Sequence, residues 1–184
     1  MISQYYEGVD NDKWIEIYNP GPEVVDLAAG GYRLGQWSDA AREAWKTNGA
    51  PTLAVALTGT IPADEIYLIQ NPAAVEPVNA AAAHQTAAFD FDGDDSLVLY
   101  TGATYAFANV VDAFGLTGNT AADKSYIRNS PVITGANTDV GAEWYPTTLF
   151  MVSIALLGSS SYLGDHLSDV STFHVVFDKP DGFQ

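Results

Sequence analysis

The stretch Phe89-Asp90-Phe91-Asp92-Gly93-Asp94-Asp95-Ser96-Leu97-Val98-Leu99-Tyr100 decides how this chain reads. Phe89 and Phe91 alternate with Asp90 and Asp92, so in extended backbone the rings share one face and the carboxylates the other. Asp92-Gly93 is a pair that tolerates positive φ, and a second apolar run returns from 96 to 100. The pattern predicts a β-hairpin with an acidic turn.

Outward from that stretch the same two-residue period recurs. Ile2 to Glu7 and Lys13 to Tyr18 alternate around the turn-rich Gly8-Val9-Asp10-Asn11-Asp12, which predicts two adjacent strands. In the second, Ile15 and Ile17 share a packing face, while Trp14, Glu16 and Tyr18 share a partly wet one. Further short strands are predicted over 23–27, 32–34, 53–57, 65–70, 97–100, 110–113 and 125–128, with turn signals at Pro62, Asn71-Pro72, Gly102 and Gly115. Asp39 to Lys46 permits one or two helical turns after a Ser38 or Asp39 cap. The alanine-rich crossover from Pro72 to Ala88 reads as a loop with a helical turn. Many short strands at even spacing point to an all-β sandwich or barrel.

Composition narrows the class. The 184 residues suffice for a single core without staples, and the absence of cysteine rules out disulfides, thiolate metal sites and a thiol nucleophile. A formal charge of −16 makes nucleic acid and anionic lipid poor partners. The longest apolar run, Leu149 to Gly158, is too short for the ~20 residues of a membrane span and is expected to be a buried strand or strand pair. Met1-Ile2-Ser3-Gln4-Tyr5 lacks the basic start and apolar stretch of a signal peptide. Strand-like sequence from residue 2 onward is what a segment of a longer, processed precursor would show, with Met1 as an added start.

Several pieces, in order, resemble a bacterial lamin tail domain. They are Ile2-Ser3-Gln4-Tyr5-Tyr6-Glu7-Gly8, Trp14-Ile15-Glu16-Ile17-Tyr18-Asn19-Pro20, Gly59-Thr60-Ile61-Pro62-Ala63, Phe91-Asp92-Gly93-Asp94-Asp95, Val110-Val111-Asp112-Ala113-Phe114-Gly115 and Ala122-Asp123-Lys124-Ser125-Tyr126-Ile127-Arg128. Glu143-Trp144-Tyr145-Pro146 with Tyr162-Leu163-Gly164-Asp165-His166 is similar to the closing stretch of that family. The resemblance implies an immunoglobulin-like β-sandwich over residues 1–166, with 167–184 as a tail, an extra edge strand or the start of a following module. It also implies a non-catalytic accessory module of secreted or surface-attached bacterial proteins, contributing protein contact, adhesion or the positioning of a neighbouring hydrolase. The chain departs from that pattern at Asp39 to Lys46, at the alanine-rich crossover, at Leu149 to Gly158 and after His166.

No catalytic constellation assembles from the residues. His84, His166 and His174 are scattered without metal-ligand spacing, and Gly158-Ser159-Ser160-Ser161 lacks the closing glycine of a nucleophile elbow. Glu16 and Asp112 are expected to be structural: Glu16 bonded to a neighbouring strand or to Arg33, Lys124 or Arg128, and Asp112 to backbone amides or Arg128. The one place for a ligand is the acidic turn, where Asp90, Asp92, Asp94 and Asp95 offer the hard oxygens that Ca²⁺ prefers. Its glycine is out of register for an EF-hand, and a solvated turn accounts for the same letters. The expectation is therefore no cofactor, with Asp92, Asp94 and Asp95 as calcium candidates in an alternative reading as a calcium-dependent adhesion module. Four tryptophans and ten tyrosines leave a carbohydrate-stacking face as a further alternative to core filling.

Overall fold

The computed structural model describes residues 1–75, 82–115, 121–129, 132–138 and 141–148. The expected strands within Leu149 to Gly158, His166, His174, the boundary at residue 166 and the tail 167–184 lie outside the described residues.

The described chain is all-β. Its elements are β1 (Ile2–Glu7), β2 (Lys13–Tyr18), β3 (Val25–Asp26), β4 (Tyr32–Trp37), β5 (Leu53–Ala56), β6 (Thr60–Ile61), β7 (Ile66–Gln70), β8 (Gln85–Thr86), β9 (Ser96–Thr101), β10 (Val110–Phe114), β11 (Lys124–Arg128) and β12 (Trp144–Thr148). The helical pieces among the described residues are 3₁₀ turns of three or four residues, two of which, Asp39–Ala41 and Ala44–Thr47, fill the predicted 39–46 insertion. Ser38 makes no side-chain capping bond there. No helix among the described residues is long and apolar enough to cross a membrane.

One sheet has the order β12-β11-β1-β2-β7-β8, the other β10-β9-β4-β5, and β3 pairs with β6 in a two-stranded ribbon. All pairings are antiparallel except β7 with β8. Both sheets turn apolar side chains into one core. Tyr5, Ile15, Ile17, Tyr67, Ile69 and Tyr126 come from the first sheet, and Leu34, Leu97, Leu99 and Phe114 from the second. Sheets that share a core in this way form a sandwich.

Three expectations are corrected. The opening stretch does not form a hairpin: Phe89 to Phe91 lie in no strand, and β9 pairs with β4 and β10 instead. The face alternation holds, with both rings fully buried and Asp90 and Asp92 exposed. Side chains, not a partner strand, satisfy the backbone there: Asn71 donates to the Phe89 carbonyl at 2.7 Å, and the Asp90 N–H donates to Gln36 Oε1 at 3.3 Å. Secondly, the face of Trp14, Glu16 and Tyr18 is not wet, since all three are buried. Tyr6, Trp14 and Leu68 form a second cluster, and Ala74 and Ala83 of the alanine-rich crossover pack against it. Thirdly, that crossover contains β8, with Ile69 opposite Gln85.

The tryptophans are core, not a stacking platform: Trp14, Trp37, Trp45 and Trp144 are all 5% exposed or less. Trp37, Trp45, Val98 and Ala113 make a third cluster, which seats the 39–46 insertion on the outer face of the second sheet.

Candidate metal centre

β4 and β9 run antiparallel with Trp37 opposite Ser96. This register brings the segment leaving β4 beside the segment entering β9. Asp39, two residues past the end of β4, therefore meets Asp92, Asp94 and Asp95. One carboxylate oxygen from each of the four lies within 4.8 Å of the others. Asp39 has φ of 43°, and its N–H donates to Asp95 Oδ1 at 2.9 Å.

A buried amide fixes the frame. Gln36 on β4 is fully buried, and its Nε2 donates to Asp90 Oδ1 at 2.6 Å and to Asp95 Oδ2 at 3.1 Å. Asp95 is thus oriented, while Asp90 is held by Gln36 and stays outside the cluster. Gly93 completes the turn with φ of 107°, and its carbonyl accepts from the Ala121 N–H at 3.2 Å.

The chemistry of such a site is that of a hard cation. Ca²⁺ binds oxygens at about 2.3–2.6 Å, so ligands on opposite sides of one ion are roughly 5 Å apart, and four oxygens within 4.8 Å of one another fit that sphere. Mg²⁺, at about 2.0–2.1 Å, demands a tighter octahedron, and zinc sites draw on nitrogen and sulfur. Asp94 Oδ1 is buried and has no hydrogen-bond partner among the described residues. Burial raises the Asp94 carboxyl above the usual range, and the neighbouring Asp92 and Asp39 carboxylates raise it further. Burial likewise pushes Asp95 up to about 6, with Asp92 and Asp94 adding to the rise and the Asp39 N–H opposing it.

Carboxyls whose pKa is raised on folding stabilise the folded chain at low pH, and that contribution is lost as pH rises through the folded value. For Asp95 the window runs from the ordinary carboxylate range up to about 6, and the effect is at most roughly 3 kcal/mol. Glu7, raised by burial against the opposing pull of Lys13, works in the same direction. The Met1 amine, its pKa lowered to about 6 by burial, works in the opposite direction as pH falls below 8, so the variant Asp95→Asn isolates Asp95. In the presence of a chelator, going from pH 7.5 to pH 5 should change the melting temperature less favourably in Asp95→Asn than in the parent. The same pH dependence in Asp95→Asn as in the parent would contradict this assignment.

Other candidates take structural roles. Ser3 on the neighbouring strand donates to Glu16 Oε1 at 2.7 Å. Asp112 is fully buried and accepts from the backbone N–H groups of Ile2 at 2.7 Å and Ala136 at 2.9 Å, and from Arg128 Nη2 at 3.0 Å. His84 is exposed, and its Nδ1 accepts from the Leu68 N–H at 2.9 Å while the ring stacks on Tyr67. Asp39 is the member that sequence reasoning missed. Its only signal was a position just past an apolar strand, where the residue read equally well as a helix cap.

The chain significantly matches no protein-family model, no curated protein and no solved structure. Its likeness to bacterial lamin tail domains rests on the ordered motifs alone.

Proposed function

We propose that this chain is a non-catalytic, immunoglobulin-like β-sandwich module that works by protein contact, with Ca²⁺ bound among Asp39, Asp92, Asp94 and Asp95 to fix the loops at one end. The convergence of these four carboxylates, drawn from two loops into 4.8 Å, carries the calcium part of the reading. The lamin-tail-like motifs support the accessory role and a place in a secreted or surface-attached protein beside a hydrolase. The formal charge of −16 agrees with an exported protein kept soluble in a saline setting.

Thermal denaturation tests the calcium part. Starting in chelator at pH 7.5, Ca²⁺ at about 100 times its dissociation constant stabilises by about 2.7 kcal/mol, which for a chain of this length is a rise of roughly 5–10 °C. Mg²⁺ should give a smaller rise, and Asp94→Asn should lose most of the calcium effect. An unchanged melting temperature on adding Ca²⁺ would remove the ion from the reading. Nuclease, phosphatase or glycosidase turnover that disappears in Asp94→Asn would overturn the non-catalytic assignment.

A further inference from the structure

The far end of the β4–β9 pair, opposite the acidic loops, holds a cavity of about 280 Å³ between the sheets. Its deep walls are Ile17, Leu27, Ile61 and Leu99, each 2% exposed or less, and the partly buried Val25 and Val111 stand nearer its mouth. These are residues of the common core, so the cavity is an opening into the sandwich itself. Among the described residues, no Asp, Glu, Lys, Arg or His side chain lines it. The rim amide, Asn19, is spent on its own loops: Nδ2 donates to the carbonyls of Glu23, Ile61 and Pro62, and Oδ1 accepts from the Gly21 N–H. Tyr18, Tyr32 and Thr134 also line it, and at the wall the Met1 amine donates to the Tyr18 carbonyl at 2.8 Å. Burial lowers its pKa to about 6, so it is mostly uncharged at neutral pH.

Size and lining define the occupant. An apolar cavity of about 150 Å³ holds benzene, and pockets for small organic molecules begin near 300 Å³. Protein cores are otherwise filled to crystal density, and the deep hydrocarbon walls of Ile17, Leu27, Ile61 and Leu99 give water too few partners there to recover its lost hydrogen bonds. We propose that the cavity is a binding site for an uncharged hydrocarbon chain, of the length of an eight-carbon alkyl group. The site is built by core side chains and stands apart from the acidic centre.

Titration of the full chain with 1-octanol, followed through isoleucine, leucine and valine methyl resonances, tests this. The expected result is saturable shifts at Ile17, Leu27, Ile61, Leu99 and Val111. Leu68 and Val98, buried in the two outer clusters, should stay unmoved. Val111→Phe fills the cavity from a partly buried position and should weaken binding at least tenfold. Val25→Phe, filling from the opposite side, decides the matter if the first variant does not fold. Octanoate should bind more weakly than octanol, because the chain's net charge repels it. The proposal is overturned if the shifts do not saturate, if Leu68 and Val98 move equally, if a folded filled variant binds as the parent does, or if octanoate binds as tightly as octanol.

Discussion

Arg128→Met should lower the folding free energy by about 3–5 kcal/mol, the range for removing one partner of a buried ion pair. Arg128 and Asp112 are both fully buried at the side chain, and two guanidinium nitrogens meet the two carboxylate oxygens. Arg128 Nη1 also donates to the Ile2 carbonyl at 3.0 Å, and Nη2 donates to Glu143 at 3.1 Å. Its guanidinium lies 4.8 Å from the Trp144 ring. One side chain on β11 therefore ties β1 and the segment before β12 to β10 in the opposite sheet. In the methionine variant Asp112 keeps its backbone donors and loses its counter-charge, in a place water does not reach. Total stability for a domain is about 5–15 kcal/mol, so the loss should shift the denaturant midpoint far. Adding Asp112→Asn to the variant removes the stranded charge and should recover part of the loss, as a double-mutant cycle would read. Lys46, paired with Glu43 at half-exposed positions, is the contrast: Lys46→Met should change stability by less than about 1 kcal/mol. A loss below about 1 kcal/mol for Arg128→Met would show that this cross-sheet tie is dispensable.

The second large effect is expected at Gly93. Its φ of 107° lies where side chains are strained, and a Cβ there would stand 2.2 Å from the Ala122 nitrogen and 2.6 Å from its Cα. Those neighbours are backbone and cannot swing aside. Strain and overpacking each cost about 1–3 kcal/mol, so Gly93→Ala should destabilise by roughly 2–5 kcal/mol. The displaced loop carries Asp92, Asp94 and Asp95, so the thermal response to Ca²⁺ should vanish as well. Gly59→Ala separates the two causes. Its φ of 78° is comparably unfavourable, yet the nearest atom to its Cβ would be Tyr67 Cε2 at 3.8 Å, an ordinary contact. That variant should lose only about 1 kcal/mol and keep the calcium response. Equal losses at Gly93 and Gly59, measured by urea denaturation, would mean that the close approach to Ala122 has no part in the effect.

Approximate alternation on either side of a turn rich in Asp, Asn and Gly placed β1 and β2 at their observed bounds, although their pairing shifts register between Ile2 and Gln4. It also separated the buried Phe89 and Phe91 from the exposed Asp90 and Asp92. It could not show that their backbone is satisfied by Asn71 and Gln36, since a period of two reports side-chain direction and not hydrogen-bond partners. The two-residue β8 left no periodic signal at all, being a parallel edge in an alanine-rich segment. Of the acidic residues, Asp92, Asp94 and Asp95 were legible from their proximity in sequence. Asp39, more than fifty positions earlier, was not.

Local sequence thus determined the extended backbone, the positive-φ turn at Gly93 and a formal charge of −16, because each depends only on neighbouring residues or on totals. Tertiary structure alone decided that β4 and β9 lie side by side with Trp37 against Ser96, which brings Asp39 to the acidic turn. It alone decided that Arg128 meets Asp112 across two sheets, and that core side chains line an open cavity at the opposite end. Strand order arises from burying every apolar face at once, a condition on the whole chain that no window of residues contains.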